Sequence, residues 1–482
     1  MVIPEIAPLP FDAVGQLPPA NRAAAEARLS PYLARSTHKI VVLDDDPTGV
    51  QTVHGVSVFT SWSGQAVLDG FLEESPMFFI LTNSRSFSAD KTRAEHLVMA
   101  EHILKAADAT GKPPVIISRS DSTLRGHYPL ETEALRQALE ARGMQVDGEI
   151  IYPFFQEGGR YTLHGVHYVK EGDQLIPAGQ TEFAKDKTFG YHSSHLGMWV
   201  EEKTGGSLRA GDMTYIDIDE LRAQDVDGIA GKLRRVKDFG KVIVDSADYA
   251  DVMVFSAALL QVMEEGKRFL IRSAAAVTKV LGGVPDRPLL TRRDLIDPAD
   301  HNGGMIIVGS HVNKTTRQLE ALKQCIFPIE FVEFNQHLVL QPGGLESETA
   351  RVSALADRLV RQGKTVAVYT RRDRLDLPDN ADPEAQLRIS TEISDAVSAV
   401  VSRLTVRPSF LIAKGGITSS SIGTQALQVY RATVMGQVLS GVPVWQTGSE
   451  SKFPGLPYVI FPGNVGDDQG LRTIVEAFMG AQ

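Results

Sequence analysis

Short apolar runs recur along this chain, each followed by a polar loop and, in most cases, by apolar residues spaced about 3.6 apart. In the first half they are Ile40–Leu43, Met77–Leu81, Val115–Ile117, Glu149–Tyr152 and Lys241–Asp245. In the second they are Met305–Val308, Val366–Tyr369, Phe410–Ala413 and Tyr458–Phe461. Strand, loop and helix repeated in that order admit few solutions, chiefly a parallel sheet with helices on its faces. The helix signals agree. Ser88 is placed to cap a helix carrying Ala94, Leu97, Val98, Leu104 and Ala107, and Pro129 opens another with Leu130, Ala134, Leu135 and Ala138 on one face.

A chain of 482 residues is too long for one hydrophobic core. Residues 1–38 read as a leader, proline-rich and then helical over Asn21–Arg35. An α/β domain follows over 39–275, broken near 155–215 by a Gly-, His-, Thr- and Tyr-rich insertion of loops and short strands, placed to serve as a lid. Glycines and prolines mark a linker over 276–302, and a second α/β domain runs over 303–482. The expected fold class is α/β with two domains, each a mainly parallel sheet flanked by helices, and an active site in the cleft between them. The helix after Phe410–Ala413 is expected to run to about Ser440.

A net charge of −10 lacks the basic stripe that nucleic acid requires. No apolar run approaches the roughly 20 residues of a membrane span, and no basic residue precedes Arg22, so no export signal is read. A cytoplasmic protein without membrane or nucleic-acid partners is expected, and homo-oligomerisation stays open. The single cysteine, Cys325, falls at the apolar end of a helix, where thiols are inert. The pairs His164/His167 and His192/His195 have a spacing a metal could use, but their loop context and the absence of nearby cysteine favour a surface or lid role; no metal ligand is assigned.

Loops at the carboxyl edge of a parallel sheet converge, and ligands bind there. Asp44-Asp45-Asp46-Pro47-Thr48-Gly49 follows the first strand, Thr82-Asn83-Ser84-Arg85-Ser86 the second, and Ser118 through Gly126, containing Arg119, Ser120, Asp121, Ser122 and Arg125, the third. Folding does not ask for three adjacent carboxylates at a strand mouth; a cation, a hydroxyl or a proton does. Arginine forks bind carboxylates and hydroxyl-bearing side chains read hydroxyls, which suits a small polyhydroxy acid. The rival reading makes Arg85 and Arg119 structural partners of the aspartates. In the second half, Gly309-Ser310 with Thr315, Lys414-Gly415-Gly416-Ile417-Thr418, and Pro462-Gly463-Asn464 follow strands in the same way, and glycines before a helix N-terminus suit an anion such as a nucleotide phosphate. Neither the G-x-x-x-x-G-K-[ST] loop nor G-x-G-x-x-G is present.

Together these segments resemble the four-carbon acid sugar kinase family, most specifically in Asp121-Ser122-Thr123-Leu124-Arg125-Gly126. The resemblance spans about Lys39 to Gly466. It implies an ATP- and Mg2+-dependent enzyme that phosphorylates a terminal hydroxyl of threonate, erythronate, 3-oxo-tetronate, 3-oxo-isoapionate or a similar acid. It implies that Asp45, Arg85, Arg119, Ser120, Asp121, Ser122 and Arg125 contact the acid, and that Ser310, Thr315, Gly415, Gly416, Ile417, Thr418, Gly463 and Asn464 contact ATP. Asp121 is the expected catalytic base, with Asp45 and Asp46 in reserve. Three positions depart from the family pattern: Arg119 replaces a lysine, Pro47 an aromatic, and Ile417 an acidic residue. Two other readings remain: a haloacid-dehalogenase-like phosphatase using Asp44 and Asp46, or a non-catalytic sugar-acid binder.

Overall fold

The computed structural model describes residues 6–480, apart from 374, 376–382 and 464. The chain forms two compact units, one of residues 1–56 and 61–286, the other of residues 57–60 and 287–482.

The sheet of the first unit runs, in spatial order, Thr214–Ile216, Gly240–Val244, Gly148–Tyr152, Phe269–Ser273, Pro114–Arg119, Lys39–Asp44 and Met77–Leu81, every neighbouring pair parallel. Helices cover such a sheet on both faces, so its strands read as continuous apolar runs, and Lys39–Asp44 and Met77–Leu81 are buried along their whole length. Helix Ala89–Thr110 begins where Ser88 accepts a hydrogen bond from the Lys91 amide and ends at Gly111, whose φ of 67° is the left-handed conformation glycine adopts without strain. The second N-terminal helix signal also forms, as Leu130–Ala141. Helix Arg22–Arg35 packs its Ala25 and Leu29 side against helix Tyr249–Glu264.

The 155–215 segment builds a small antiparallel sheet of Arg160–Leu163, Val166–Glu171 and Gln174–Pro177, with Leu9–Pro10 added at its edge. It is no lid. Val169, Ala178, Tyr191 and Trp199 are buried in one cluster with Leu124, Tyr128, Ile151 and Ile243, so the insertion shares a core with the first sheet.

In the second unit the order is Ser57–Phe59, Arg431–Leu439, Val442–Thr447, Pro457–Phe461, Leu411–Lys414, Met305–Val308, Thr365–Thr370 and Ile329–Phe334. The last five strands are mutually parallel, and the first four pair antiparallel. The helix expected to reach Ser440 does not form. Helix Gly416–Ser421 passes through a wide helical turn over Ile422–Ala426 into strand Arg431–Leu439. The reason is a period of two: Ala432 and Val434 face inward while Arg431 and Thr433 face water, and Gly441 at φ 77° closes the hairpin. The stretch read as a linker carries the rest of helix Ala275–Leu281 and the short helix Arg292–Leu295. Among the described residues no helix is long and apolar enough to cross a membrane.

Candidate functional site

At the carboxyl edge of the first sheet, strand Lys39–Asp44 lies between Met77–Leu81 and Pro114–Arg119, so the three polar loops meet. Backbone bonds lock them together: the Thr82 amide donates to the Asp44 carbonyl (2.9 Å), the Asp45 amide to the Arg119 carbonyl (3.2 Å) and the Ser120 amide to the Ser273 carbonyl (2.9 Å).

The three aspartates then have three different tasks. Asp44 is only 2% exposed. Its carboxyl is pushed up to about 8 by burial, which the Arg119 guanidinium 3.5 Å away only partly offsets. The backbone of Gly49 presses so closely that an added Cβ would lie 1.8 Å from Asp44 Oδ2. Asp45 receives a two-pronged bond from Arg85, Nη2 to Oδ1 at 2.6 Å and Nε to Oδ2 at 3.1 Å, plus the Ser120 hydroxyl at 3.0 Å. Asp46 accepts from the amide and hydroxyl of Thr48, at 2.8 and 2.6 Å. Burial opposes its charge, but Arg85 and these bonds hold it below the usual carboxylate range.

Asp121 faces the same space. Its Oδ2 accepts from Arg125 Nε at 2.7 Å and from the Thr123 hydroxyl, and Arg85 Nη1 is 3.9 Å from its Oδ1. Burial alone would raise its pKa; Arg125 and Arg85 more than reverse that and keep it ionised far into acid. Asp45, Asp46, Arg85, Ser120, Asp121 and Arg125 thus form one charged network. Arg119, 3% exposed, lies beneath it, 3.5 Å from Asp44 and 3.9 Å from Asp45 and donating to Gln51 Oε1 at 3.3 Å, which makes it an internal counter-charge. Ser122 is buried and its carbonyl accepts from His167 Nε2 at 2.8 Å.

Residues distant in sequence support the loop. His167 also contacts the Thr162 hydroxyl at 2.9 Å, and the Tyr191 hydroxyl donates to the Thr123 carbonyl at 2.8 Å. Behind the network, Glu131 is buried, accepting from the Ser84 hydroxyl at 2.7 Å and Arg272 Nη1 at 3.3 Å. Gly126, at φ 122°, leaves no room for a side chain beside Ser120 Oγ. Gly126 closes the Asp121–Gly126 motif and Glu131 sits in the first turn of a helix whose start was legible; no local pattern pointed to the others.

His167 has a measurable consequence. Burial pushes its imidazole down to about 4, from an ordinary value near 6.5, so the folded protein holds it neutral. The stability it contributes is therefore complete above about pH 6.5 and is lost as pH falls through about 4. Denaturant unfolding should show the advantage of the parent chain over His167→Gln shrinking by on the order of 3 kcal/mol between pH 7 and pH 4. A difference that does not vary with pH would contradict this.

The other three histidines of the pairs bond elsewhere: His192 meets Glu202 at 2.9 Å, and His195 Nδ1 accepts from the Met198 amide at 3.4 Å. His164 reaches Asp217 (3.3 Å) beside Asp245, the one grouping among the described residues whose atoms could hold a metal. The oxygens of Asp245 are already committed to the amides of His164, Gly165 and Ile218, and Asp217 caps helix Ile218–Arg222, so each carboxylate has a structural task.

In the second unit the strands Pro457–Phe461, Leu411–Lys414 and Met305–Val308 are adjacent and parallel, which brings their three small-residue loops to one edge. Gly415 adopts φ 122°, ψ 138°, a conformation reserved for glycine, and an added Cβ would lie 3.1 Å from Ser310 Cβ. At Gly309 an added Cβ would meet Thr418 Oγ1 at 2.4 Å. Thr315 Oγ1 is 3.3 Å from Ser310 Oγ and 3.5 Å from the Gly463 carbonyl. Lys414 lies beneath, donating to the Pro462 and Gly463 carbonyls; burial pushes its amine down to about 7. Arg372 Nη2 donates to the Ser310 carbonyl at 2.7 Å. Ile417 is 75% exposed at the head of its helix, and Asn464 lies outside the described residues.

Comparison with known proteins agrees with this division. A sugar-binding N-terminal domain family matches residues 40–281, and a nucleotide-binding C-terminal domain family matches residues 305–471. No curated protein matches the chain. Among solved structures, a Salmonella typhimurium LT2 protein with a provisional tRNA synthase name is similar at 17% identity and a TM-score of 0.63, covering 91% of this chain and 98% of its own. A Haemophilus influenzae protein is similar at 16% identity and a TM-score of 0.58, covering 91% of this chain and all of its own. At such identities the likeness is one of fold. The two domain matches together account for both units, and the chain belongs to the four-carbon acid sugar kinase family.

Proposed function

We propose that the protein is an ATP-dependent kinase that transfers the γ-phosphoryl group to a terminal hydroxyl of a four-carbon or closely related oxo or branched sugar acid. The observation that carries this reading is the pairing of a charged, arginine-rich network in the sugar-binding domain with a glycine cradle in the nucleotide-binding domain. Phosphoryl transfer asks a protein chiefly for positioning and charge neutralisation, with one group to receive the hydroxyl proton. Asp121 takes that last role. Its carboxylate stays ionised, and because the transition state is loose, a weak base that orients the hydroxyl and takes its proton late is adequate.

On the nucleotide side, the backbone of Gly309, Gly415 and Gly416 lets phosphates approach, and the hydroxyls of Ser310, Thr315 and Thr418 add donors. Exposed Ile417 and Val312 offer apolar contact for the base. Mg2+ supplies charge neutralisation on the phosphates, and the Ser310 and Thr418 hydroxyls are the kind of oxygen donor it accepts. The phosphatase alternative is disfavoured, because an Asp44 nucleophile sealed between Arg119 and Gly49 has no free face for a phosphorus atom.

The test is ATP consumption with Mg2+ across threonate, erythronate and their oxo and branched relatives. Acid-dependent ADP formation with a phosphorylated acid as product is expected. Phosphate release from a phosphorylated acid without ATP would replace the kinase reading with the phosphatase.

A further inference from the structure

Five arginines surround the acid network, and four have a carboxylate within 4.0 Å: Arg85 meets Asp45, Arg119 Asp44, Arg125 Asp121 and Arg272 Glu131. The fifth, Arg160, belongs to the inserted segment and has no such partner among the described residues. It begins strand Arg160–Leu163 directly after the left-handed turn at Gly159. Its Nη1 donates to the Gly158 carbonyl, while its Nε, shielded from solvent, finds no acceptor. The guanidinium lies 5.5 Å from the centre of the Phe183 ring, and that of Arg125 lies 5.1 Å from the same ring. Burial and the nearby Arg125 disfavour the charge on Arg160, and Asp121 and Glu171 offset that only in part.

A half-buried guanidinium that shares a ring with another cation and has no carboxylate in contact is costly unless something compensates it. A bound carboxylate would do so, through the charge-assisted bonds that arginine forks favour. The arginines expected to clamp the acid are less free. Arg119 is sealed against Asp44, and Arg85 already spends two nitrogens on Asp45. We propose that the carboxylate of the substrate is read by Arg160, assisted by Arg125 over the Phe183 ring, so that the inserted segment supplies the preference for an acid over a neutral polyol. This deepens the kinase reading and rests on it. It also orders the substrate. With the carboxylate at Arg160, the hydroxyl-bearing carbons run toward Asp121 and Ser120.

The test compares kcat/KM for threonate with that for its neutral amide, in the parent chain, Arg160→Gln and Arg160→Lys. The parent should prefer the acid. Arg160→Gln should lose roughly 10- to 100-fold on the acid, mostly as raised KM, and little on the amide. Arg160→Lys, which keeps the charge, should recover part of the preference. A merely structural role would lower both substrates together and leave their ratio unchanged, and that result, or an unchanged KM for the acid, overturns the assignment. A parent chain that neither binds nor phosphorylates any four-carbon acid overturns the kinase reading itself, whereas an active parent whose acid preference survives Arg160→Gln overturns only the role of Arg160.

Discussion

Asp121→Asn is expected to lower kcat by roughly 10²- to 10⁴-fold, the range a positioned proton acceptor supplies, while acid binding stays close to normal. Asparagine keeps the shape and can still accept from Thr123 and Arg125, whose bonds now fix the carboxylate. The arginines are not stranded by the change, since Arg85 retains Asp45 and Asp46, and Arg125 retains Asp186 at 3.9 Å. Lost turnover with preserved binding therefore isolates the chemical step from the fold. Steady-state kinetics with calorimetric binding of the acid makes the distinction. Near-normal kcat would remove Asp121 from the reaction and leave Asp45 or Asp46 to receive the proton.

Gly415→Val should weaken nucleotide binding by about 10²-fold or more. A side chain at φ 122°, ψ 138° is strained whatever the space around it, and here it also meets Ser310 Cβ at 3.1 Å and Thr418 Oγ1 at 3.4 Å. The loop must shift, and the backbone that would face the phosphates shifts with it. Acid binding should be unaffected. Titration of both ligands into the same variant decides the matter: an unchanged nucleotide affinity would show that this cradle is not where phosphates bind.

Sequence patterning reached much of this fold because most strands are buried on both faces, so Met77–Leu81 and Met305–Val308 could be read to the residue. It also reached the loops after them, since a triple aspartate and a Ser-Arg-Ser-Asp run are conspicuous at strand ends. It failed where two periods compete. Residues 424–440 look helical if their alanines and valines are counted, and only the exposed Arg431 and Thr433 alternating with buried Ala432 and Val434 give away the strand. What no local pattern carries is partnership. The rival reading of Arg119 as a partner of the aspartates holds, but nothing near Arg160, His167 or Tyr191 places them beside residues 121–126. Those contacts exist because the insertion returns to share the core of the sheet, a long-range event decided by buried Tyr191, Trp199 and Val169.

The most direct test is a crystal structure of the full chain with a non-hydrolysable ATP analogue, Mg2+ and threonate. The account predicts the triphosphate against Ser310, Gly415 and Gly463, and the acid between Asp121 and the arginines of the first unit. A nucleotide lodged beside Asp44–Asp46, with the glycine loops untouched, would contradict it.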